Sequence, residues 1–201
     1  MRESIGSALW WLRVEWRRGQ SIFTVILFTT LLILIVGLLS WRARLSEQPL
    51  RLFFWVSYLF TIFQALPRAI LDRRPEEWRW LHQLFSPEGN AAGIWLYANM
   101  LSVAVGAYLM IGAQLMWGYK VSFLPNLLGG AVLSVPLAFA AFITARAEAS
   151  YALTSVLAFP LVIFPLIWVS SRSDFALSPM VALLGVESLL FLFILPAVWR
   201  D

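Results

Sequence analysis

Few residues in this chain could carry acid–base, nucleophilic or metal chemistry. A single histidine, His82, leaves little for metal or haem ligation. The absence of cysteine rules out disulfides, thiolate metal sites and thioether haem attachment. One carboxylate, Glu187, interrupts the last apolar run. An ionisable group at membrane depth points to function by default. The structural alternative is a protonated carboxyl, or one bonded to Ser188 or to a polar group of another helix. No Lys, Arg or His stands near the middle of any apolar run as a relay partner, which speaks against a proton-driven pump. The sequence also lacks G-x-x-x-x-G-K-[ST], H-E-x-x-H and G-x-S-x-G. The chain is therefore expected to be non-catalytic and to bind no metal or cofactor itself.

The densest chemistry is a polar island, Asp72–Gly89, reading DRRPEEWRWLHQLFSPEG between two apolar runs. Pro75 suits a first helical turn, and Glu76 and Glu77 complement the positive end of a helix dipole. Trp78, Leu81 and Phe85 recur at i, i+3 and i+7, with Trp80 and Leu84 as a flanking i, i+4 pair; Arg79 and His82 face elsewhere. Pro87 is expected to stop the helix, and Gly89 and Gly93 to loosen the entry to the next apolar run. The result is a short amphipathic helix with a heavy aromatic face. That face either anchors on a membrane surface or meets a protein, because Trp and Arg are favoured interface anchors. In the second case Glu76, Glu77, Trp78, Arg79, Trp80, Leu81, Leu84 and Phe85 form a coupling interface for a cytoplasmic ATPase.

The elements around the island are expected to be membrane spans. The 201 residues are 61% hydrophobic and 13% charged, against about 45–50% and about 25% in a soluble domain. Charge-free runs predict an all-α protein of six transmembrane helices in one domain: about 20–41, 50–71, 91–117, 121–145, 150–170 and 177–199. Arg51 and Arg68 are expected to snorkel from the ends of the second. Before the first span, residues 1–18 carry an apolar stripe of Ile5, Ala8, Leu9, Leu12 and Trp16, with Arg13, Arg17 and Arg18 off it. This reads as an amphipathic helix in the membrane interface rather than a cleaved signal. Lys and Arg number ten on one side and five on the other, which places both termini in the cytoplasm. Tryptophans 10, 11, 16, 41, 78, 80, 117 and 199 fall near the expected interfaces. Pro125, Pro136, Pro160, Pro165 and Pro196 permit kinks, and Gly129 and Gly130 allow close helix approach. The net charge of +4 is read as loop topology, not as affinity for nucleic acid.

Six spans, an interfacial N-terminal helix and an aromatic loop after the second span resemble the permease subunit of an ABC-2-type exporter. RVEWRRG before the first span, ILDRRPEEWRWLHQLFSPEGNAAGIWLYANML around the island and YALTSVLAFPLVIFPLIWVSS in the fifth span resemble the cytochrome c maturation protein B family, CcmB or haem exporter protein B. The resemblance runs over essentially the whole chain, with L-F-S-P after the island helix its most telling piece. It implies a bacterial inner-membrane subunit that works with a separate CcmA-like ATPase, beside CcmC-like and CcmD-like membrane proteins. ATP hydrolysed by the partner would release a haem-loaded, CcmE-like chaperone, with haem itself handled by the partner proteins. Two other readings stay open: an ABC-2-type permease exporting a lipid, drug or polysaccharide, and an assembly factor or carrier that needs no ATPase.

Overall fold

A computed structural model describes residues 2–73, 75–147, 151–171 and 177–200. The side chains of Arg2, Gln20, Ser21, Pro75, His82, Arg146, Tyr151, Ser171, Leu177, Ser178, Trp199 and Arg200, and residues Arg74 and Arg172 altogether, lie outside that description. The described residues form eight α-helices. They are α1 (Arg2–Arg18), α2 (Gln20–Ala43), α3 (Glu47–Leu71), α4 (Pro75–Leu84), α5 (Pro87–Gly112), α6 (Phe123–Arg146), α7 (Tyr151–Ser171) and α8 (Leu177–Arg200). A π-helical turn, Ala113–Trp117, extends α5. Six helices are long and apolar enough to cross a membrane: α2, α3, α5 with its π turn, α6, α7 and α8. They match the six expected runs.

The bundle is built around α6. In its most apolar stretch 78% of residues are buried, against 22% in α2 and 17% in α8, so those two are peripheral. Small residues explain the centre: Gly129, Gly130, Ala131, Ala138, Ala140 and Ala141 let large neighbours come close. A Cβ at Gly129 would overlap the Trp55 ring, and one at Gly130 would meet Tyr58 and Ser102, as expected for close approach. Tyr58 and Ser102 are hydrogen-bonded to each other across α3 and α5. On α2, Phe23, Leu27, Leu31, Leu34 and Leu38 form an exposed apolar stripe, the face an acyl environment would cover.

Several local expectations are corrected. The island helix ends at Leu84, ahead of Pro87 as expected, but Pro87 also opens α5 behind Ser86, whose hydroxyl caps the Gly89 amide at 3.1 Å. A missing N–H costs nothing in the first turn. Pro125 likewise lies in the first turn of α6 and removes no ladder bond, whereas Pro136, Pro160, Pro165 and Pro196 are interior, joined by Pro67 of α3. The Arg51 side chain is 11% exposed, reaching toward the N-terminal end of α3 at Glu47 and to the Tyr119 hydroxyl. Trp11 and Trp117 are core residues rather than interface rings, and the Trp117 Nε1 donates to the Ile33 carbonyl at 2.7 Å.

Candidate functional site

Residue by residue, the island helix divides into two faces. Leu81 is fully buried, and Trp78 and Phe85 pack against the core. The Trp78 ring lies 6.1 Å from Trp11 of α1 and 5.9 Å from Phe142 of α6, both edge-on. The periodic aromatic face is thus packed largely against the chain itself. Glu76, Arg79, Trp80, Gln83 and Leu84 are exposed, Trp80 by 60% and Leu84 by 54%. Of the eight residues the sequence groups as one interface, Glu76, Arg79, Trp80 and Leu84 are available to a partner. Trp78, Leu81 and Phe85 hold the helix down. Glu77 belongs to a charge cluster.

That cluster fastens α4 to α1 and to the end of α3. Arg18 Nη2 donates to both Glu77 carboxylate oxygens, at 2.7 and 2.9 Å, and its Nη1 donates to the Asp72 carbonyl at 3.1 Å. Arg73 has no exposed side-chain surface. It donates to the Ala69 carbonyl at 2.9 Å, pairs with Glu77 at 3.3 Å and stands 3.8 Å from the Glu15 carboxylate. Its guanidinium also lies 4.3 Å from the centre of the Trp11 ring and 5.0 Å from that of Trp10, a cation–π geometry. Burial pushes the Arg73 pKa down and neighbouring Arg18 adds to this, while Glu77 and Glu15 oppose it. The buried Glu15 carboxylate accepts no hydrogen bond among the described residues, so Arg73 is its compensation.

The same region ties α1 to α5. Ser7 Oγ donates to Asn90 Oδ1 at 2.8 Å, and Trp11 Nε1 approaches the same oxygen at 3.4 Å. Glu3 accepts from Ser86, the cap of α5, at 2.7 Å. Gly89 and Gly93 do not loosen this segment. A Cβ at Gly93 would collide with Ser7 and approach the Ala8 amide, and one at Gly89 would lie 2.9 Å from both Glu3 and Ser86 oxygens. They are the small-xxx-small face that lets α1 lie against α5. The expected stripe of α1 accordingly splits: Ala8 is buried with Ser7, Trp11 and Glu15, Leu12 is half-buried, and Ile5, Leu9 and Trp16 are exposed.

Arg73, Glu15, Ser7 and Asn90 do not stand out in the sequence as site residues. The closeness of Arg73 and Glu77 in sequence is a readable signal; the meeting of Arg73 with Glu15, from a distant segment, is not. On α8, Glu187 is half-buried and its Oε2 has no hydrogen-bond partner among the described residues. The Ser188 hydroxyl accepts from Trp95 Nε1 at 3.1 Å. Among the described residues no three His, Cys, Asp or Glu side chains come together as a metal site. Comparison with protein-family models, curated proteins and solved structures finds no match in any of the three.

Proposed function

We propose that this chain is the permease-like membrane subunit of an ABC-2-type complex of the kind that serves cytochrome c maturation, and that α4 is the helix on which a separate ATPase pushes. One observation carries this: the outer face of α4, free of the chain's own packing, is mixed. A surface anchor needs an apolar outer face. Here Glu76 and Arg79 stand beside Trp80 and Leu84 on a helix whose inner face is fixed, the composition of a protein contact.

In this reading both termini and α4 are cytoplasmic, and a CcmA-like ATPase engages Glu76, Arg79, Trp80 and Leu84. Closure of the ATPase moves α4. Arg18, Arg73 and Glu77 pass that motion to α1, and the Ser86–Glu3 and Ser7–Asn90 bonds pass it on to α5. The far side of the bundle then changes its grip on a CcmE-like haem chaperone, with CcmC-like and CcmD-like proteins alongside. ATP is consumed by the partner, and haem stays with the partner proteins.

The test is co-purification with the ATPase in mild detergent, together with chaperone release. Trp80→Ala and Arg79→Glu should each weaken the complex by about 2 kcal/mol or more, with melting temperature unchanged because both side chains are exposed. Leu81→Ala should instead lower the melting temperature. Normal assembly and release in the Trp80→Ala/Arg79→Glu double variant would sink the proposal.

A further inference from the structure

A groove of about 920 Å³ runs between α1, the start of α2 and α5, at the upper end of the range for ligand pockets, about 300–1,000 Å³. Its walls are apolar and aromatic: Leu9, Leu12 and Trp16 from α1, Ile22 from α2, and Tyr97 and Leu101 from α5. Gly19 creates it. With φ of 60° and nothing near a Cβ, this residue breaks the chain between α1 and α2 and lets the two helices diverge.

On the rim stand Arg13 and Arg17, an i, i+4 pair on α1 and therefore neighbours on one helix face. Both are exposed, and neither is ion-paired among the described residues. Nearby Arg18 and Arg73 are already matched with Glu77 and Glu15. The carboxylate that contributes to the groove, Glu15, is buried and held by Arg73, so the rim keeps its positive charge.

We propose that this groove binds one anionic phospholipid, its phosphate between Arg13 and Arg17 and an acyl chain along Leu9, Leu12, Ile22 and Leu101. Charge complementarity selects the headgroup. The exposed Leu9 and Trp16 and the exposed α2 stripe beginning at Phe23 and Leu27 continue the apolar wall outward, so a chain enters from the bilayer without crossing water. A second groove, of about 750 Å³ between α3 and α7, is likewise apolar, but its Arg68 is paired with Asp72 at 3.3 Å and offers no comparable cation. Lipid binding here requires that the chain lie in a bilayer and does not require an ATPase partner, so either proposal can fail without the other.

The experiment is native mass spectrometry of the delipidated full-length protein titrated with phosphatidylglycerol, or with phosphatidylcholine of identical chains. Phosphatidylglycerol should be retained in preference, at one per chain. Arg13→Gln/Arg17→Gln should bind it about thirtyfold more weakly, from roughly 1 kcal/mol per surface cation. Arg13→Lys/Arg17→Lys should stay within a few-fold of wild type, as should Arg68→Gln in the other groove. Leu9→Trp, at an exposed position, should obstruct the acyl track and weaken binding with both arginines in place. Equal retention of the two lipids, or full retention by the double Gln variant, overturns the proposal. So does undiminished binding by Leu9→Trp, which would mean headgroup attraction without seating in the groove. Displacement by millimolar inorganic phosphate would overturn it in favour of a bare phosphate site.

Discussion

Arg73 is the residue on which the site turns. It is a fully buried cation between two tryptophan faces and two carboxylates, and it replaces water for Glu15. Breaking a buried pair from one side strands the other charge, at a cost of roughly 3–5 kcal/mol, while replacing both partners with apolar groups is often close to neutral. Arg73→Met should therefore lower the melting temperature sharply. Adding Glu15→Met to it should recover part of the loss, because Glu77 retains Arg18. A double-mutant cycle followed by thermal unfolding in detergent measures this. Additive losses would show that the two charges do not depend on each other. The local half of the arrangement is legible in the sequence, since Arg73 and Glu77 are only four residues apart. Glu15 is not, because nothing in its own neighbourhood distinguishes a solvated acid from one turned into the protein.

Among the elements, α1 and α4 behave differently from what their amphipathic patterns suggest. Each has the expected period, and each pattern predicts that the apolar face meets a membrane or a partner. In α4 that face is spent on Trp11 and Phe142. In α1 the protein-facing side is Ser7, Ala8, Trp11 and Glu15, mixed rather than apolar, because close approach to Gly89 and Gly93 matters more there than hydrophobicity. Gly93→Ala should push α1 off α5, since the new methyl meets the Ser7 side chain and lies 3.1 Å from the Ala8 backbone nitrogen. Overpacking of this kind costs typically about 1–3 kcal/mol. Gly185→Ala is the matched control in α8, where a Cβ meets nothing within 4 Å; it should leave the melting temperature level or slightly raised. Limited proteolysis of α1 should report release in the first variant and not in the second.

At the scale of the whole molecule, six helices that each cross a membrane would bring both ends of the bundle to one side, and in the proposed orientation that side is cytoplasmic. The chain contains no cysteine, so single substitutions can be labelled directly. Gln83→Cys and Ala147→Cys should react with a membrane-impermeant maleimide only when the cytoplasmic face is open. Ser46→Cys and Lys120→Cys should react from the opposite face. All four positions are exposed, and labelling of Gln83→Cys and Lys120→Cys from the same side would refute the six-span topology. What the sequence determined by itself is the number of long apolar helices, their approximate limits and the short helix of the island, because the cost of charge in hydrocarbon and the 3.6-residue period are local properties. Which residues meet was decided by the tertiary structure. The burial of α6, the capture of Arg73 by Trp10, Trp11 and Glu15, and the sorting of α4 into a held face and a free one all depend on contacts between distant segments. Hydrophobic pattern marks a face as needing cover, and only packing says what covers it.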